Sequence, residues 1–107
     1  QVPVKNPFVY ILTNKPRGTL YVGVTSDLIK RIWQHKNNVF EGFSSKYHLH
    51  TLVWFEQHAS MEAAILREKQ IKGGSRQKKI ALIDTLNPQW LDLYEDYFSG
   101  QVVTLRG

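Results

Sequence analysis

The chain has 107 residues, 42% of them apolar, and a formal charge of +5, which supports one domain with a modest core. It has no cysteine, which excludes a disulfide framework and a thiolate metal site and leaves the redox compartment unread. No apolar stretch approaches the ~20 residues that cross a bilayer, and the start lacks the apolar region of a signal peptide, so a cytoplasmic protein is expected.

Residues 1–7 read as a flexible segment, residues 8–98 as the domain and residues 99–107 as a fraying tail. Residues 8 to 13 are rich in β-branched and aromatic side chains and read as a strand, as do residues 19 to 24. Lys15-Pro16-Arg17-Gly18 between them predicts a tight turn and an antiparallel hairpin. Strand alternation puts Tyr10 on a face with Phe8 and Leu12, and Tyr21 on a face with Thr19 and Gly23. A glycine so close to Tyr21 leaves room for a ligand or for close packing.

Thr25-Ser26-Asp27 then opens a helix that runs to about Lys36, with Ser26 as the expected N-cap and Asp27 favouring the positive end of the dipole. Leu28, Ile29, Ile32 and Trp33 make its apolar face. Arg31 and His35, spaced i, i+4, point together off that face. Residues 37 to 48 read as a loop. Leu49 to Glu56 contains the apolar run Leu52-Val53-Trp54-Phe55, which reads as a buried third strand. Ser60 caps a second helix from Met61 to about Lys72, ended by Gly73-Gly74. Ser75 caps a third, from Arg76 to Leu86, with Ile80, Ile83 and Leu86 as its stripe, and Pro88 stops it.

Charge is unevenly placed. Arg67, Lys69, Lys72, Arg76, Lys78 and Lys79 face a single acid, Glu68, whereas Asp84, Asp92, Glu95 and Asp96 follow with no base among them. The basic run suits a polyanion or is a solvated helix face. Glu68 falls on the stripe of Met61, Ala64, Ile65 and Ile71. A charged group facing a core is costly unless paired or metal-bound. It either pairs with Lys72 at i, i+4 or is a lone acidic ligand to a hard cation such as Mg²⁺.

Tyr10 and Tyr21 are either sheet packing or chemistry. A phenol has a pKa near ~10 and is a poor base unless cations lower that value. Arg31 can supply such a charge and can clamp a phosphate through its planar fork. His35, if not a plain surface residue, can relay a proton. His48, His50 and His58 lack metal-like spacing, and Ser44-Ser45 lacks a nucleophile-elbow context.

Together these residues resemble the GIY-YIG nuclease superfamily, in particular its small stand-alone bacterial members. Phe8-Val9-Tyr10 and Tyr21-Val22-Gly23 stand where its two tripeptides stand, with ten residues between the tyrosines. Phe8 replaces the first glycine, and Val22 replaces the second isoleucine. The run from Gly23 to His35 is similar to the motif centred on the family's arginine, Arg67 to Lys72 to the motif of its glutamate, and Asn87-Pro88-Gln89-Trp90 to its asparagine motif. Gly74 stands where the small relatives are expected to have an aromatic residue.

The resemblance implies an α+β fold, a small three-stranded antiparallel β-sheet flanked by about three or more α-helices, in agreement with the elements above. It implies a metal-dependent endonuclease that hydrolyses DNA phosphodiester bonds with one divalent cation, Mg²⁺ or Mn²⁺. By that analogy Tyr10 is the general base, Tyr21 and His35 assist it, Arg31 stabilises charge on the phosphate and Glu68 holds the metal. Gly23 and Asn87 support the site. The basic residues Lys69, Lys72, Arg76, Lys78 and Lys79, with Arg31, are expected to contact DNA, single- or double-stranded. Two other readings stay open. One is a nucleic-acid-binding module without turnover. The other is a repair accessory that docks through the acidic, aromatic segment from Asp84 to Phe98, a segment that alternatively packs on the core.

Overall fold

The computed structural model describes residues 6–37 and 48–95. Expectations for residues 1–5, for the loop that holds Ser44-Ser45 and for Asp96 to Gly107 lie outside the described residues. Three strands, β1 (Phe8–Thr13), β2 (Leu20–Thr25) and β3 (Thr51–Gln57), and three helices, α1 (Leu28–Lys36), α2 (Met61–Gly73) and α3 (Arg76–Leu86), follow one another in the order β1-β2-α1-β3-α2-α3. The sheet is antiparallel with β1 in the middle, in the order β2-β1-β3. The fold is α+β, as expected.

Alternation along β1 sends its side chains to two layers. Val9 and Ile11 pack with Val22, Ala64 and Ile71 of α2, Ile83 of α3 and Trp90. Tyr10 and Leu12 pack with Leu28 and Ile32 of α1, with Leu49 and with Leu52. The third strand is irregular for a reason. Its register shifts between Ile11 and Leu12, so that Ile11 opposes Trp54 while Leu12 opposes Leu52. Val53 is the extra residue of a bulge, and it joins Trp54 in the α2–α3 layer. An uninterrupted apolar run is thereby divided between two cores.

The hairpin turn closes with the Gly18 amide donating to the Lys15 carbonyl at 2.9 Å. Arg17 takes a left-handed φ of 58° there. Its guanidinium donates to the Asp84 carboxylate at 3.2 Å and lies 5.6 Å over the Trp90 ring, while Trp90 Nε1 donates to Asp84 at 2.8 Å. Those hydrogen bonds, the one from Trp90 foremost, hold the Asp84 carboxyl below its usual pKa. On the opposite layer Asp92 ion-pairs with Lys36 and accepts the Leu52 amide at 3.3 Å. Described residues of the acidic segment are therefore tied to the core at both ends.

Candidate active site

Register explains the tyrosine pair. Tyr10 opposes Gly23, and Tyr21 opposes Leu12, so both phenols sit on the α1 face of the sheet. Their ring centroids are 6.4 Å apart. A Cβ placed on Gly23 would lie 2.5 Å from both Tyr10 Cζ and the Tyr10 hydroxyl oxygen. Glycine therefore lets the phenol lie across β2, and the space beside Tyr21 is filled by close packing.

Helix α1 departs from its expected face. Asp27, not Ser26, is the N-cap, its carboxylate accepting the Lys30 amide at 3.3 Å. Its side chain has the reach to the third helical amide. The buried stripe is Leu28, Ile32 and His35, while Ile29 and Trp33 are 45% and 52% exposed. Spacing of four and three residues keeps that stripe on one side, and Ile29 and Trp33 lie about 100° around the helix from it. His35 thus belongs to the inward face. Its Nε2 is 3.1 Å from the Tyr10 hydroxyl, and its ring centroid is 5.6 Å from that of Tyr21.

Arg31, one turn before His35, hydrogen-bonds the Tyr10 hydroxyl. Glu68 comes from α2, in line with the buried Ala64 and Ile71. Its side chain is 15% exposed and accepts from Lys72 Nζ at 3.2 Å, the i, i+4 pair. Its charge is also felt at Tyr10. The pairing with Lys72, one of the two sequence alternatives, is present, and the carboxylate is recessed as its place on the stripe predicts.

Electrostatics set a neutral resting state. Burial, with Tyr21 adding to it, pushes the Tyr10 phenol well above its usual pKa; the charge and hydrogen bond of Arg31 act the other way, and Glu68 adds a smaller upward push. Burial, then the charges of Arg31 and His50, lower the His35 pKa to about 4. At neutral pH a protonated phenol therefore meets a neutral imidazole. In the tautomer protonated on Nδ1, the Tyr10 hydroxyl donates to His35 Nε2.

Among the described residues no three His, Asp or Glu side chains converge as a protein-only metal cage requires. Mg²⁺ does not require one, since it keeps several waters and takes one or two carboxylates plus phosphate oxygens. A single recessed carboxylate beside a phenol and a guanidinium fits that demand.

Arg31 also lines a polar depression of about 200 Å³ with Thr25, Asp27, Lys30 and Gln34. Lys30 and Gln34 were not singled out from sequence; their i, i+4 spacing beside Arg31 was the signal. His50, which lacks metal-like spacing in the sequence, bears by its charge on His35. Lys36 holds the His50 carbonyl at 2.8 Å.

The expected DNA contacts divide by what they touch. Lys69 and Lys78 have no side-chain partner among the described residues, whereas Lys72 is on Glu68 and Lys79 Nζ donates to the Gly74 carbonyl at 3.2 Å. Arg76 Nη2 donates to the carbonyls of Arg17 and Gly18 at 2.6 and 2.7 Å, locking the hairpin turn to α3. Asn87 is buried, donates from Nδ2 to the carbonyls of Val53 and Leu91 at 3.2 and 2.8 Å, and accepts the Leu91 amide at 3.0 Å.

A family model described as the GIY-YIG catalytic domain matches residues 6–81. The chain belongs to that family. Its match spans every element from β1 into α3 and all five clustered residues. A GIY-YIG relative in this size class is the UPF0213 protein SSP2268 of Staphylococcus saprophyticus, 37% identical over 76 residues, which are 71% of this chain and 92% of that protein. The solution NMR structure of the UPF0213 protein BH0048 from Bacillus halodurans superposes with a TM-score of 0.53 at 29% identity, covering 84% of this chain and 95% of that one. Neither name states an activity.

Proposed function

We propose that this GIY-YIG domain is a divalent-metal-dependent endonuclease that hydrolyses DNA phosphodiester bonds with Tyr10 at its centre. One observation carries the reading: the Tyr10 hydroxyl hydrogen-bonds both His35 and Arg31, and it feels the charges of Tyr21 and Glu68. The sheet buries this phenol, yet surrounds it with a proton acceptor, a phosphate-binding cation and a carboxylate.

In the proposed step Arg31 receives a nonbridging phosphate oxygen and orients the phosphorus toward Tyr10. A water attacks phosphorus as its proton passes to the Tyr10 oxygen, and the Tyr10 proton moves to His35 Nε2. The bond to the leaving oxygen breaks, and that oxygen takes its proton from solvent. Tyr21, tilted against both rings, holds their orientation. In the free protein burial opposes a phenolate at Tyr10, so the base requires positive charge brought to it. When bound by Glu68, a divalent cation supplies that charge and meets the charge that develops on the leaving oxygen.

Purified protein is incubated with single- and double-stranded DNA, with and without Mg²⁺ or Mn²⁺. Metal-dependent nicking is expected, with Tyr10→Phe and Glu68→Ala inactive. Equal nicking by Tyr10→Phe would remove the base assignment, and activity in Glu68→Ala would remove the metal assignment. Salt-sensitive binding with no cleavage under any metal would establish the binding module instead.

A further inference from the structure

Helices α2 and α3 flank an open groove of about 320 Å³ that no step above uses. Its floor is Ile71, Ala81 and Leu82, and its rim carries Lys78, Lys79, whose ammonium also donates to the Gly74 carbonyl, and Arg67, which is ion-paired with Glu56 at 3.0 Å. The volume lies at the small end of ligand pockets, the size of one planar group with its attachments. A peptide helix needs a longer trough, with anchors a turn apart.

Gly74 stands at this groove for no backbone reason. Its φ of −82° and ψ of 168° suit any residue. A Cβ there would make only ordinary contacts, the nearest at 3.4 Å. What glycine does is leave the groove open where a larger side chain would reach into it. Polar groups face the space as well. The Gln70 amide nitrogen has no partner among the described residues, and the Thr85 hydroxyl, its proton spent on the Ala81 carbonyl at 2.9 Å, keeps lone pairs that can accept.

An apolar floor for a flat ring, donors and acceptors at its edge, and cations around the mouth match a nucleotide. We propose that the groove holds one unstacked nucleotide of a single strand, its base on Ile71 and Leu82 and its phosphate on Lys78 and Lys79. The proposal rests on the reading of the chain as a protein that acts on DNA. It adds a substrate preference, since a paired base is held between its neighbours and cannot enter. The groove and Glu68 share α2. Arg67, Ile71 and Gly74 lie about 60–120° around that helix from Glu68.

The test measures binding of a labelled oligonucleotide and of its duplex in EDTA, where nothing is cut, for wild type and Gly74→Trp. Wild type is expected to prefer the single strand, and the indole is expected to reduce that preference at least about fivefold. An unchanged preference in a folded Gly74→Trp protein would overturn the proposal. A second measurement needs no variant. A phosphorylated dinucleotide titrated into labelled wild type should shift the amides of Ile71, Gly74 and Leu82. Shifts elsewhere would overturn it, and shifts at these amides only with an acidic peptide would overturn it and assign the groove to a protein partner. Failure of the endonuclease reading is separate, because it shows as absent cleavage with these shifts intact.

Discussion

At the scale of single residues, the site depends on a side chain that is missing and a proton that is missing. Gly23 carries no Cβ, and one would collide with the Tyr10 phenol at 2.5 Å. Gly23→Ala should therefore cost ~1–3 kcal/mol by overpacking. A phenol moved by about 1 Å should lose on the order of a hundredfold in cleavage. Melting curves and nicking assays on the same preparation read both, and a wild-type rate would show that Tyr10 is not held against β2 for its chemistry. The missing proton is that of His35, whose pKa falls to about 4 on folding. Because the unfolded value is ~6.5, the unfolded chain binds the extra proton between those two values. The resulting stability is whole above about pH 6.5 and is lost as pH falls toward 4. The full loss is on the order of 3 kcal/mol. Urea unfolding at several pH values should show this slope in wild type and lose it in His35→Gln.

At the scale of elements, patterns that one element carries alone were readable, and patterns decided by a neighbour were not. Ser60 and Ser75 were expected as caps, and their side chains accept the amides of Ala63 and Lys78 at 3.1 and 3.2 Å. A cap needs only a hydroxyl and the following turn. The faces of α1 and α3 are different. Ile29, Trp33 and Leu86 read as inward on hydropathy, yet all three are exposed, and His35 and Asn87 take the buried positions. Both polar residues gain partners from other elements: Tyr10 on β1 for His35, and Val53 on β3 for Asn87. Hydropathy ranks a side chain by its exposure alone and contains no information about such partners. Each of the five clustered residues stood out locally, but their union into one site came from family resemblance, because Tyr10 and Glu68 share no local period. Asn87 shows what the buried polar position is worth. Asn87→Ala leaves the Val53 and Leu91 carbonyls and the Leu91 amide short of a partner. Urea unfolding should find a loss of about 3 kcal/mol.

At the scale of the molecule, the sum of +5 conceals a division of labour among the charges. Asp84 and Asp92 are paired within the chain, Asp84 at the surface with Arg17 and Asp92 with Lys36. Arg76 is spent on the hairpin turn, and Lys72 on Glu68. Lys69 and Lys78 are exposed on α2 and α3, as Lys30 is on α1 and Lys15 in the hairpin turn, all without a side-chain partner among the described residues, so α2 and α3 carry part of the available positive field. Each cation that neutralises a phosphate releases a counterion, and the slope of log affinity against log salt changes by ~0.9 per contact. Binding to catalytically inactive protein, measured across a salt series, should therefore separate the two kinds of lysine. Lys69→Ala and Lys78→Ala should each flatten the slope by about one. Lys36→Met should leave the slope alone and lower the melting temperature, because its ammonium bridges Asp92 and the His50 carbonyl inside the fold. Equal slopes for all three would place the DNA on some other surface.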